Sequence, residues 1–137
     1  MKMGAIFLAR RRLHAESIRP YGITLKQLFL LQWAKDKGSI TPSQAAELLY
    51  CDRPTATVVI NNCVRRGLLE RSPTPGDRRS VTLTPAPGGL ELLALIAADR
   101  PLSTCQLDPL DVLDTEELRV FESTLSRIHS RAKVLFN

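Results

Sequence analysis

The fold of this 137-residue chain is decided by the stretch ITPSQAAELLYCDRPTATVVINNCVRRGLLER, residues 40–71, and by the run GDRRSVTLT, residues 76–84. Thr41 is placed to begin a helix, because Gln44 follows three residues later and the two residues can form a capping box. The proline after Thr41 suits the first helical position, where its missing N–H costs nothing. We therefore expect a short helix from Thr41 to about Cys51.

A second helix should follow almost at once. Asp52 can accept a hydrogen bond from the first N–H groups of a helix from Arg53 to about Arg66, and Gly67 would end it. The residues of this helix that must face the core recur at helical spacing: Ala56, Val59, Ile60 and Cys63. The opposite face carries Pro54, Val58, Asn61 and Arg65, flanked by Thr55, Thr57 and Asn62.

After this helix the apolar pattern changes from helical to alternating. Leu69 and Arg71, and later residues 81–84, predict two short strands, with the turn-forming residues 73–77 between them. The long tip of this hairpin should hold Asp77, Arg78 and Arg79. An arginine there can enter the narrow minor groove of DNA, and the aspartate can orient a neighbouring guanidinium. The alternative is a turn that only keeps the protein soluble.

Further helices are expected upstream. Thr24 and Gln27 form another capping box, for a helix that runs to about Lys37 and ends at Gly38. An earlier helix spans at most Met1–Ile18.

Downstream, a helix should cover Leu90–Ala98 and end before Pro101, with a loop over Pro101–Leu113. Asp114 and Glu117 then open a last helix. Its apolar stripe consists of Leu118, Phe121, Leu125, Ile128 and Val134.

Composition places the chain among soluble globular proteins of one domain, with 44% hydrophobic and 24% charged residues. Residues 1–90 hold 14 lysines and arginines against 6 acidic residues, whereas residues 91–137 hold 5 against 8. The basic part suits a polyanion. No apolar run is long enough to span a bilayer, and the basic residues after the apolar start do not fit a secretory signal. We expect a cytoplasmic protein without a membrane partner.

Two capped helices followed by a basic hairpin predict a winged helix-turn-helix that binds double-stranded DNA. The expected class is mainly α with a small β-hairpin wing. The chain divides into an N-terminal helix over 1–22, the DNA-binding region over 23–86 and C-terminal helices over 87–137, all in one compact domain. The residues expected to meet DNA are Arg53, Pro54, Thr55, Thr57, Val58, Asn61, Asn62 and Arg65, with Asp77, Arg78 and Arg79 in the wing. A merely solvated helix face is the alternative.

The two quoted stretches resemble the MarR family of bacterial and archaeal regulators, whose Asp-x-Arg wing motif falls on Asp77 and Arg79. The resemblance extends over nearly the whole chain. It implies a homodimer, built by the N- and C-terminal helices, that binds a pseudo-palindromic site and acts as a repressor released by a small ligand. Val58 departs from the family, where a polar residue is more usual. Pro101 and Pro109 interrupt what is often one long helix.

Dimerisation is also indicated by apolar surface. The stripe of the last helix, together with Ile6, Phe7 and Leu13, exceeds what a small winged domain can cover, so a second copy should bury it. Packing back onto the same chain is the alternative.

The three cysteines have no zinc or disulfide spacing. Cys51 and Cys63 fall at inward positions, which favours small core residues over sensors, so Cys105 in the expected loop is the better redox candidate. The isolated residues His14 and His129 suggest no metal site. No catalytic motif, cofactor or metal is predicted, and we expect no enzyme. Two other functions stay open, a winged-helix module for protein partners and an architectural DNA binder.

Overall fold

The computed structural model describes residues 2–74, 77–99, 110 and 112–136. Six α-helices and one antiparallel hairpin follow one another in these residues, with a short 3₁₀ helix at Arg19–Tyr21. The elements are α1 Lys2–Ile18, α2 Leu25–Lys37, α3 Pro42–Leu48, α4 Arg53–Arg65, β1 Leu69–Thr74, β2 Asp77–Pro85, α5 Pro87–Asp99 and α6 Thr115–Phe136. This is the winged helix fold, mainly α with a two-stranded wing, as predicted.

The chain forms two compact units. One consists of Met1–Arg10 and Pro101–Asn137, and the other of Arg11–Arg100. The second unit therefore contains the winged helix-turn-helix, and the first contains α6 and the start of α1. The division into three regions made from the sequence stays a prediction.

Capping boxes begin three of the helices, as the sequence predicted. The Thr24 N–H donates to Gln27 Oε1 at 3.0 Å, and the Gln27 N–H donates back to Thr24 Oγ1 at 3.3 Å. Thr41 and Gln44 repeat this exchange at 2.8 and 3.2 Å. Two N–H groups that lack partners within each helix are thereby satisfied, which fixes where α2 and α3 begin. The third box, at Asp114, opens α6.

The core of the second unit lies where α2, α4 and the wing meet. Leu30, Leu31, Ile60 and Leu83 are almost fully buried there. The connection between α2 and α3 is joined to the wing, since Ile40 and Leu83 exchange backbone hydrogen bonds of 3.0 and 2.8 Å. Helices and wing therefore share one core, so the wing is held at a defined position beside α4.

The wing has longer strands than the sequence predicted. β1 and β2 pair from Leu69 with Pro85 out to Thr74 with Asp77, with an irregular register between Pro73 and Thr74. The expected turn over residues 73–77 was therefore too long, because Pro73, Thr74 and Asp77 all lie on strands. Proline is tolerated at an edge like this one, where no further strand needs its N–H.

Helix α5 begins at Pro87, three residues before the expected start at Leu90. Proline suits the first turn of a helix, and the two glycines that follow it do not prevent helix formation once the turn is packed. Gly89 lies against the carbonyl oxygen of Leu68, a place that has no room for a side chain. The expected stop before Pro101 and most of the loop over Pro101–Leu113 lie outside the described residues.

In the first unit, α6 keeps much of its apolar stripe accessible. Leu118 and Phe121 are half-buried, whereas Ile128 and Val134 are 48% and 66% exposed. Near the start of α1, Phe7 is 64% exposed. The described residues contain no helix that is long and apolar enough to cross a membrane.

Candidate nucleic-acid interface

Helix α4 is set in place by its N-cap. The carboxylate of Asp52 accepts a hydrogen bond from the Thr55 N–H at 2.7 Å, and the Thr57 hydroxyl donates to the Arg53 carbonyl at 2.8 Å. Hydrogen bonding by Thr55, through its side chain first and its backbone second, lowers the pKa of Asp52 below its ordinary value. A negative charge at this end also suits the positive end of the helix dipole.

The two faces of α4 divide as the spacing predicted. Ala56, Ile60 and Cys63 are buried, and Val59 is half-buried. Six residues are exposed and form what we call the open face of α4: Arg53, Pro54, Thr57, Val58, Asn61 and Arg65. Thr55 and Asn62 are half-buried at its margins. Val58 is 59% exposed, so an apolar side chain stands in the middle of a polar surface.

Two arginines donate hydrogen bonds to asparagine side chains on the open face of α4 and at its margin. Arg65 Nη2 donates to Asn62 Oδ1 at 2.7 Å within α4. Arg71 Nη2, from β1, donates to Asn61 Oδ1 at 2.6 Å. Sequence reasoning treated Arg71 only as a strand residue and did not include it in the site. Its contact with Asn61 depends on how the wing packs beside α4, for which the alternating pattern gives no signal.

The wing residues expected to meet DNA lie at the start of β2. Asp77 pairs with Thr74 at the outer end of the hairpin, and Arg78 and Arg79 follow along the strand. The side chains of these three residues lie outside the described part of the structure. Their backbone lies on β2 at the outer end of the hairpin, not in a long turn as the sequence suggested, and their contact with DNA stays a prediction.

A cleft of about 600 Å³ adjoins α4 on its other side. It lies among the end of α1, the start of α2 and α4. Among the residues that the structure describes, three basic ones line it, Arg11, Arg19 and Lys26, and no acidic one does so. The apolar part of the wall includes Ile18, Ile23 and Val59, and Asn62 adds an amide. Basic and apolar groups together suit a small organic anion with an apolar body.

The end of α4 is tied to the start of α2 beside this cleft. Arg66 Nη1 donates to the Gly22 carbonyl at 2.8 Å and lies 3.5 Å from Gln27 Oε1. Gln27 is buried, and the same oxygen accepts the Thr24 N–H. The hydrogen bonds of Arg66 therefore connect the end of α4 to Gly22 and Gln27, which both line the cleft.

The cysteines differ in their surroundings. Cys63 is fully buried, and burial raises the pKa of its thiol to about 11, in agreement with a core role. Cys51 is half-buried. Cys105, the redox candidate, lies outside the described residues. Within the described part of the chain, no cluster of His, Cys, Asp and Glu could hold a metal ion.

Comparison with known proteins agrees with this fold. Residues 23–81 match the model of the MarR family. An uncharacterized HTH-type transcriptional regulator of Bacillus subtilis strain 168, YsmB, is 27% identical over 118 residues, which are 86% of this chain and 80% of that protein.

Solved structures with a similar fold include the following two. A C80S mutant of MarR from E. coli, in complex with operator DNA, superposes with a TM-score of 0.81 at 24% identity, covering 92% of this chain and 89% of that one. AbsC, a MarR family transcriptional regulator from Streptomyces coelicolor, gives a TM-score of 0.81 at 18% identity, covering 96% of this chain and 89% of that one.

Proposed function

We propose that this chain, which belongs to the MarR family by its residues 23–81, regulates transcription by binding specific sites in double-stranded DNA. The open face of α4 carries the proposal. It combines amide, guanidinium and hydroxyl groups with one exposed valine on a helix that the wing flanks. A helix of this kind fits the major groove. The operator complex of the E. coli MarR mutant, which has the same fold, supports this role.

The residues of the site would make different kinds of contact with DNA. Asn61 and Arg65 have the donors and acceptors that read base edges, whereas hydroxyl groups such as that of Thr57 suit phosphates. Val58 would meet the methyl group of a thymine. Arg79 in the wing would enter the minor groove, where the negative potential is strongest.

We further propose that the chain acts as a homodimer on a pseudo-palindromic site. Exposed apolar residues of α6, such as Ile128 and Val134, and of α1, such as Phe7, support this proposal. Water contact with so much apolar surface is unfavourable, and a two-fold interface would remove it. A symmetric dimer would present two copies of α4 to two half-sites.

A repressor that a small ligand releases from DNA is the form of regulation we propose. The cleft beside α4 supports it, because its wall includes Val59 and Asn62 of that helix. Its three basic residues favour an organic anion. A ligand that binds the DNA-free form better than the DNA-bound form would shift the protein away from DNA.

Selection of bound sequences from random duplexes tests specific binding, and titration at several salt concentrations completes the test. We expect a palindromic consensus. Arg79→Ala should weaken binding to all sequences, whereas Asn61→Ala and Arg65→Ala should change the preference among them. Lys37→Ala, which removes one exposed charge at the end of α2, is the control for net charge.

The other two candidate functions give different results in the same experiment. Binding with a steep salt dependence and no consensus would identify an architectural DNA binder. No binding at any salt concentration would leave a protein-interaction module.

Sedimentation tests the dimer. We expect a dimer at micromolar concentration for the wild type and a monomer for Ile128→Glu, which places a charge on the exposed stripe. A wild-type chain that sediments only as a monomer would contradict the proposal.

Benzoate, a small aromatic anion, is a suitable first probe of the cleft. It should weaken DNA binding by the wild type and not by Arg19→Gln, which removes one of the basic residues of the wall. Arg12→Gln is the control, because it removes an arginine of the same unit that pairs with Glu16 and does not line the cleft. Equal loss of DNA binding in all three proteins would show that the anion acts elsewhere.

A further inference from the structure

An arginine from the wing holds the side chain of Asn61. Arg71 Nη2, on β1, donates to Asn61 Oδ1 at 2.6 Å, and both side chains are exposed beside α4. A hydrogen bond with a charged donor is shorter and roughly twice as strong as one between neutral groups. Because it joins residues on two elements, it links the wing directly to the open face of α4.

This bond decides how the Asn61 amide is oriented. An asparagine amide has an oxygen that accepts hydrogen bonds and an NH₂ group that donates them. Turning the amide by half a rotation would place its NH₂ against the guanidinium, so that two donors would face each other. Arg71 therefore keeps Oδ1 directed towards β1 and leaves Nδ2 available to a partner in front of α4.

The orientation matters for which base Asn61 can read. Asparagine binds adenine through both atoms, with Oδ1 accepting from N6 and Nδ2 donating to N7. Guanine instead presents two acceptors, N7 and O6, on the same edge. With Oδ1 directed towards β1, Asn61 presents the two N–H groups of Nδ2 in front of α4. Guanine can accept from them at both N7 and O6, whereas adenine accepts only at N7 and its N6 amino group faces a donor.

We propose that Arg71 is a specificity-determining residue, because its bond to Asn61 Oδ1 makes Asn61 select guanine against adenine. Arg71 acts here as a positioning residue, and Asn61 makes the base contact. The inference rests on the proposed function, since it requires the open face of α4 to lie in the major groove.

The neighbouring asparagine provides a matched control. Asn62 Oδ1 also accepts from an arginine, at 2.7 Å, but its partner Arg65 lies on the same helix. Removing the Arg65 side chain frees the amide of Asn62 and leaves the bond between wing and helix intact. Comparing a variant of Arg71 with a variant of Arg65 therefore distinguishes a change in the orientation of Asn61 from a general loss of positive charge near α4.

The test is selection from random duplexes with five proteins: wild type, Asn61→Ala, Arg71→Met, the double variant and Arg65→Met. The position whose preference disappears in Asn61→Ala identifies the base that Asn61 contacts. We expect guanine there in the wild type, favoured over adenine by on the order of tenfold. Arg71→Met should reduce this ratio to about twofold or less. Arg65→Met should change the preference at the base pair that Arg65 itself contacts, while the ratio of guanine to adenine at the Asn61 position stays as in the wild type. In the Asn61→Ala background, Arg71→Met should have no further effect at that position.

Two results would overturn the inference while leaving the proposed function standing. One is adenine at the position that Asn61 contacts in the wild type. The other is an Arg71→Met protein that binds all sequences more weakly but with an unchanged consensus, as a phosphate contact would. A wild type that enriches no sequence would instead overturn the proposed function, and this inference with it.

Folding of the variants is checked separately by thermal unfolding. If Arg71→Met unfolds, Arg71→Gln takes its place, because a neutral amide of similar length can pack in the same position. A neutral amide can donate to Oδ1 or accept from Nδ2, so it no longer fixes the orientation of Asn61. The same loss of guanine preference is then expected, and retention of the preference would count against the inference.

Discussion

Replacing Gly89 by alanine tests how closely α5 packs on the rest of the second unit. A methyl group at this position would overlap the Leu68 carbonyl oxygen and would lie 2.8 Å from Leu31 Cδ1. Carbon atoms in ordinary contact are about 3.5–4.0 Å apart. The Leu68 oxygen cannot move away freely, because it accepts the Ala86 N–H at 3.0 Å. The substitution must therefore shift backbone that is already hydrogen-bonded.

The size of the effect follows from these contacts. Forcing an extra carbon into a packed region costs roughly 1–3 kcal/mol, and weakening the hydrogen bond at Leu68 costs about 1 kcal/mol more. Alanine in place of glycine within a helix returns roughly 0.5–1 kcal/mol. We expect a net loss of about 2 kcal/mol in the free energy of unfolding, which lowers Tm by roughly 6–12 °C.

Circular dichroism at 222 nm during heating measures this change. Gly88→Ala is the near control, because its methyl group would lie 3.0 Å from the Gly67 carbonyl oxygen and should have a smaller effect. Gly4→Ala, with no atom within 4 Å of the new methyl group, should leave Tm unchanged or raise it slightly. A Gly89→Ala protein at least as stable as the wild type would refute the reasoning.

Three further outcomes are expected. Asp52→Ala should lower Tm by roughly 5 °C at neutral pH. Because hydrogen bonding by Thr55 lowers the pKa of Asp52, the difference in Tm between the two proteins should shrink as the pH falls below about 4. A difference that stays constant with pH would contradict the capping role. Cys63 should react with a disulfide reagent only in the unfolded protein, because it is buried and its thiol pKa is raised to about 11; fast native labelling would contradict this. Replacing the thymine that Val58 meets by deoxyuridine should weaken binding by the wild type and not by Val58→Ser, and equal weakening in both proteins would argue against that contact.

The starts of α2 and α3 could be predicted because each signal is local. Thr41 and Gln44 lie within four consecutive residues, and so do Thr24 and Gln27. The hydrogen bonds that close such a box involve only those residues and their own backbone. Nothing distant has to be known, so the two boxes of the second unit are visible in the sequence and present in the structure.

Features that depend on packing could not be predicted in this way. The start of α5 at Pro87 gives no clear local signal, since Gly88 and Gly89 have low helix propensity. The Leu68 carbonyl oxygen leaves no room for a side chain at position 89. Leu68 is 21 positions away in the chain and comes close to Gly89 only in the folded unit. The bond from Arg71 to Asn61 is of the same kind, since an alternating strand pattern does not say which helix an outward arginine will reach.

The contacts of α4 suggest how the proposed DNA site would be regulated. At one end Arg66 binds the Gly22 carbonyl beside the cleft, and on the open face Asn61 accepts from Arg71 of the wing. Helix α4 is therefore attached both to the start of α2 and to β1. If a ligand releases the protein from DNA as proposed, displacement of Gly22 would shift Arg66 and the end of α4, while Arg71 of the wing holds Asn61. The hydrogen bond between Arg71 and Asn61 would then stretch or break. The position of α4 and the orientation of the Asn61 amide would therefore change together.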